Sequence, residues 1–169
     1  MDQIEFADGF DTPDTLAFGL GAGQLARLER ALGDARLAGK VRVVAIHHPP
    51  AGRRARNRIR GLRDHEAFAA VIARSGADVV VHGHEHRDMT EVLPGPAGGV
   101  QVLGVPSGTY EHDRPERTAR YRLFEVKNGK LQADHLRVWD RTARCFRDDT
   151  SPPRATRVHA LESRTNSTT

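Results

Sequence analysis

An α/β protein of the α+β kind, with strands and helices partly segregated along the chain, is predicted from three observations. Two short β-branched apolar runs, Val43-Val44-Ala45-Ile46 and Val79-Val80-Val81, each end abruptly in histidines; such runs read as buried strands of one sheet. Segments with helical apolar spacing precede and separate them. Further along, two strand-like segments flank Lys127-Asn128-Gly129-Lys130, and Asn-Gly between strands is a strong hairpin signal.

Taken in order, Leu25, Leu28 and Leu32 share one helical face and Gly33 is placed to end the helix, so Gly23 to Leu32 is predicted as a surface helix lying on a sheet. Val41 to Ile46 is the first strand. Asp64 stands where it would N-cap a helix running through Ala73, whose Phe68, Val71 and Ile72 share a face, with Gly76 beyond its end. Asp78 to His82 is the next strand. Glu91 to Leu93 and Val100 to Val105 are strands around the turn-rich Pro94-Gly95-Pro96-Ala97-Gly98-Gly99. Tyr121 to Val126 and Leu131 to Trp139 form the Asn-Gly hairpin. No internal repeat is visible.

With 169 residues the chain has room for one modest domain and not for two. Residues 1–15 show no pattern. Residues 16–147 carry all the periodic segments. From 148 to 169 the composition shifts to Thr, Ser, Pro and Arg without periodicity, which predicts a disordered tail. Hydrophobic residues make up 38% and aromatics 5%, so the core must be mostly aliphatic and thin for this length.

The net charge of +4 comes mainly from arginine, with six arginines between Arg53 and Arg63. They form either a solvated face or an entrance that attracts phosphate. Nucleic-acid binding is disfavoured, because no aromatic residues are interleaved there for base stacking. The single cysteine, Cys145, excludes an internal disulfide. No apolar run approaches a membrane-spanning length and the first residues do not read as a leader, so a cytoplasmic location without membrane contact is expected.

Histidines at two strand ends carry the chemistry. His84 and His86 are one residue apart, so on an extended segment their imidazoles project to the same side, able to share a cation or hold a neighbouring pair. His47 leaves the other strand beside His48, which precedes Pro49 and is therefore biased to an extended conformation. His47, His84 and His86 are the predicted metal ligands; His48 either backs a ligand or orients the loop. His82, inside its strand run, is expected to be packed. His65, His112, His135 and His159 are expected at the surface.

These two motifs, His47-His48-Pro49 and Gly83-His84-Glu85-His86, resemble the last two metal-binding motifs of the calcineurin-like metallophosphoesterases. Arg53 to Asp64 and Leu103-Gly104-Val105-Pro106-Ser107 are similar to segments that follow those motifs in bacterial members, and the likeness runs from about Gln24 to about Phe146. The resemblance implies part of a four-layer αββα sandwich, with His47 and His84 on one metal and His86 on the other. The metal pair would be drawn from Mn, Fe or Zn. It implies hydrolysis of a phosphomonoester or phosphodiester substrate by a metal-bound hydroxide. Three earlier motifs of that family, Asp-x-His, Gly-Asp-x-x-Asp and Gly-Asn-His, are missing from the sequence. Gly33-Asp34-Ala35-Arg36-Leu37 begins like the second, yet no acidic residue ends it, and it reads as a helix terminus. Asp8-Gly9-Phe10-Asp11 offers two carboxylates with no strand before them.

The chain therefore resembles the domain without its N-terminal half, which supplies the bridging carboxylate and the histidine near the leaving group. Three readings follow. A truncated phosphoesterase would be weak or inactive alone and would leave apolar sheet faces open, favouring oligomerisation. A naturally short chain would hold a metal or pair with a separate N-terminal half. A non-catalytic fragment would bind anions or nucleic acid through its arginines.

Overall fold

A computed structural model describes residues 18–57 and 59–149 and the backbone of 157–158. Helix α1 (Gly21–Leu32) leads through a 3-10 turn (Ala35–Leu37) to β1 (Val43–Ile46), the one-turn helix α2 (Gly52–Ala55) and α3 (His65–Ser75). Strands β2 (Val79–His82), β3 (Met89–Gly95) and β4 (Gly98–Gly104) follow. After a second 3-10 turn (Pro115–Arg117) come β5 (Arg120–Lys127), β6 (Lys130–Asp140), β7 (Cys145–Asp148) and β8 (Arg157–Val158). Helices on a mixed sheet, beside a second antiparallel sheet, make this an α/β protein as predicted.

The first sheet has the order β1-β2-β4-β3-β8, with β1, β2 and β4 mutually parallel and β3 antiparallel to β4. Val44, Val80 and Val102 are register partners across the three parallel strands. They therefore share a face, because successive side chains alternate across a strand. That face packs with Phe68, Ile72, Leu25 and Leu32 of α3 and α1. Val79 and Leu103, on the opposite face, are also buried, which is why these strands read as unbroken apolar runs. β1 lies at the sheet edge and leaves Val43 half exposed.

Parallel order brings the C-terminal ends of β1, β2 and β4 to one edge, where ligands of open α/β sheets bind. His47 and the Gly83-His84 segment leave the sheet there.

Several local expectations are corrected. Asp64 does occupy the position before α3, yet its side chain makes no bond to that helix. Its carboxylate instead accepts from the Leu20 and Gly21 amides at 3.1 and 2.8 Å. Those amides open α1, where the first N–H groups of a helix have no intrahelical partner. The loop expected over Pro94 to Gly99 shrinks to Pro96-Ala97, because Pro94 pairs with Gly99 and Gly95 with Gly98 in the ladder. A side chain on Gly99 would meet Val92 at 2.7 Å, so the glycines let the strands continue to a tight turn.

β5, β6 and β7 form the second sheet. Asn128 and Gly129 both have positive φ, 53° and 69°, the twist that tight hairpins require. The tail expected from residue 148 starts inside β7, and the backbone of 157–158 pairs parallel to β3. The short, charged Cys145-Phe146-Arg147-Asp148 carries too little alternation to announce a strand. Residues 1–17, 58, 150–156 and 159–169, including His159 and Arg58, lie outside the described residues.

The second sheet is tied to the first by charge. Arg120, 5% exposed, reaches Asp88 at 3.3 Å and Asp149 at 3.4 Å. Arg122 reaches Asp88 at 3.1 Å and also pairs with Asp134. Asp88 immediately precedes β3, so two arginines of β5 in one sheet converge on a carboxylate borne by the other.

Candidate metal centre

His47 follows β1 directly, and Pro49 and Pro50 behind it are fully buried, which fixes the path of this loop. His84 follows β2 after Gly83, whose amide donates to the His47 carbonyl at 3.2 Å. The two loops are thereby joined through backbone. The His84 Nδ1 and His47 Nε2 atoms are 3.2 Å apart. His48, 6% exposed, lies with its ring centroid 4.2 Å from that of His84 and 5.0 Å from that of His47. One ring nitrogen from each of His47, His48 and His84 lies within 4.8 Å of the others.

The protonation of His48 follows from its partner. Its Nδ1 is 3.1 Å from the Arg60 carbonyl, which can only accept, so Nδ1 carries the proton and Nε2 keeps its lone pair. Outer hydrogen bonds of this kind orient histidine ligands in metal sites. Asn57 builds the acceptor: its Oδ1 takes the Ile59 and Arg60 amides at 3.0 and 2.9 Å, fixing the turn that presents the carbonyl. Gly61 completes it, since a Cβ there would collide with the Ala55 carbonyl oxygen. Phe18 stacks on the far face of His48, centroids 4.5 Å apart and planes 18° apart.

Burial favours the neutral form of His48 and His84. Burial lowers the His84 pKa from 6.5, the neighbouring His48 and His47 lower it further, and Glu85 pulls the other way. Burial likewise lowers the His48 pKa against the opposing Arg60 hydrogen bond. Neutral imidazole is the form that donates a lone pair to a cation.

The backbone at His84 is unusual. The Glu85 amide donates to the Gly83 carbonyl at 2.8 Å, closing a three-residue turn around His84, whose φ is 64°. A γ-turn with positive φ is rare and strained. His86 also has positive φ, 49°. Such residues cost on the order of 1–3 kcal/mol each and cluster at functional sites.

Of the predicted ligands, His47 and His84 are brought together, and His48, assigned only a supporting part, joins them. His86 is exposed and stands outside the group. His82 is packed as expected, 5% exposed, with Nδ1 3.2 Å from the Gly83 carbonyl. His135 is exposed and pairs with Glu125, while His65 and His112 are half-buried and bonded to their own loops. Phe18, Asn57 and Glu85 were not legible as site residues; the adjacency of His48 to His47 was the one signal for a third imidazole.

Three imidazoles match the number of protein ligands in a catalytic zinc site, with a fourth position left for water or substrate. The donor set thus fits one divalent cation. A pair needs more ligands, since no carboxylate belongs to the group among the described residues.

The arginine segment lies alongside. Arg53, Arg56 and Arg60 are exposed, and Arg60 is close enough for its charge to lower the His84 pKa. Arg54 pairs with Glu85, Nη1 to Oε2 at 3.0 Å. Among the described residues no helix is long and apolar enough to cross a membrane. No protein-family model and no curated protein matches this chain, so the likeness to the metallophosphoesterases rests on the two histidine motifs and the segments that follow them.

Proposed function

We propose that this chain is a metal-dependent phosphoesterase, the C-terminal part of a four-layer αββα domain. The observation that carries this reading is the convergence of His47, His48 and His84 within 4.8 Å at the C-terminal edge of parallel strands. His47, His48 and His84 would hold one cation, from Mn, Fe or Zn, and the resemblance assigns His86 to a second. When bound, the metal supplies Lewis-acid polarisation of the phosphoryl group. The protein's own part is to bring three imidazoles together, to lock His48 through the Arg60 carbonyl, and to draw the anionic substrate in with exposed guanidinium groups. Because the described group lacks a bridging carboxylate, full activity is expected to need a further ligand from a missing N-terminal half or a second copy.

Hydrolysis of bis(p-nitrophenyl) phosphate by the purified chain with Mn²⁺, Fe²⁺ or Zn²⁺ tests this, beside His84→Ala and His47→Ala. Slow turnover that falls to background in both variants is expected. Equal turnover in the variants, or none in any metal with the chain alone or joined to a complementary N-terminal half, overturns the reading. The exposure of Arg53, Arg56 and Arg60 favours one second reading, a non-catalytic anion or nucleic-acid binder. It requires steeply salt-dependent binding that survives loss of His84 and His86.

A further inference from the structure

Between the two left-handed histidines sits a carboxylate that neither ligates nor meets solvent. The Glu85 side chain is 3% exposed and, among the described residues, is ion-paired with the half-buried Arg54 of α2, at 3.0 Å. The other oxygen, Oε1, is buried without a hydrogen-bond partner among the described residues. A charged group in this position is costly unless something is gained by holding it there. Glu85 is also the residue whose amide closes the turn around His84. Its side chain and its backbone therefore act on the same strained segment.

We infer that Glu85 is a positioning residue: anchored by Arg54, it holds the Gly83-His84-Glu85 turn so that the His84 ring faces His47, and it ties the metal loop to the arginine-bearing helix α2. Two features argue for positioning beyond simple packing. The carboxylate lies one residue from His84 and its anchor, Arg54, comes from a different element, so releasing it frees the turn without removing a ligand. The carboxylate is also the negative charge beside the three imidazoles, felt by both His82 and His84, and complements a bound cation from behind. Partners behind metal ligands commonly change affinity by about 10–100-fold when removed.

The affinity part of this inference rests on the metal reading above; the ring geometry does not, and the test separates them. Ring ¹⁵N–¹H spectra of the metal-free full chain report the tautomers of His84 and His47, and Co²⁺ absorption reports affinity and coordination. Glu85→Gln is expected to shift the His84 and His47 ring signals while His65 and His135 stay in place, and to weaken Co²⁺ binding about tenfold. Arg54→Lys, at a half-exposed position, serves if Glu85→Gln unfolds, and is expected to act in the same direction more weakly. Unmoved His84 and His47 rings in a folded variant overturn the inference. Absence of Co²⁺ binding by the unaltered chain overturns the metal reading, and the ring spectra then decide the positioning role alone.

Discussion

His48, His82 and His84 each sit where protonation is disfavoured, and burial is the largest cause in all three. The consequence for stability has a definite sign. In the unfolded chain these rings titrate near 6.5; in the fold they titrate lower, so on acidification the unfolded state takes up protons first. Stability is therefore expected to be complete above about pH 6.5 and to fall as the pH drops through the lowered values. Urea unfolding from pH 8 to 5 checks this. A flat profile would remove the assignment of neutral, desolvated rings, and His82→Gln should flatten the slope in part. The space for His82 is made by Gly104, where a Cβ would meet the ring at 2.6 Å.

Helices α1 and α3 are coupled by more than their shared core. The Asp64 carboxylate bonds the Leu20 and Gly21 amides across 44 and 43 residues of chain, and Arg63 donates its amide to the Phe18 carbonyl at 2.9 Å. Together they bring the start of α1, and with it the Phe18 ring, to the loop that carries His48. Asp64→Ala is expected to cost about 0.5–2 kcal/mol, the range for losing a helix cap. It should also loosen Phe18 from His48, visible as a shift of the His48 ring signals. Normal stability with an unshifted His48 would show that the bond does not organise this end of the helix. That Asp64 caps the helix before it was hidden in the sequence, because an aspartate next to a helix start carries the same local signal whichever amides it reaches.

In the molecule as a whole, the join between the two sheets depends on a buried charge network rather than on apolar contact alone. Asp88 accepts from both Arg120 and Arg122, and Arg122 also binds Asp134. Removing one partner of a buried pair leaves the other charge stranded, at roughly 3–5 kcal/mol. Asp88→Ala is expected to lose that much in urea unfolding, a large share of the total for a domain this size. A loss below about 1 kcal/mol would place the network among solvated pairs of little weight. The β5 face opposite Arg120 and Arg122 leaves Leu123 at 47% exposure.

Strand positions followed from composition because continuous β-branched runs bury both faces of a sheet wherever they lie, and the histidines ending them had to emerge at a common edge once the strands were parallel. The Asn128-Gly129 hairpin was equally legible, since only residues tolerant of positive φ fit that turn. Tertiary structure alone decided that His48 turns inward to complete the triad while His86 stays outside it. It also decided that Glu85 is buried on Arg54, that β7 pairs with β6 and that β8 pairs with β3. These outcomes depend on contacts between residues well separated along the chain, such as the Arg60 carbonyl that fixes His48 or the Glu85 carboxylate held by Arg54 of α2. Periodicity and motif spacing record only which face or which bend a residue prefers, and the choice of distant partner is made when the chain packs.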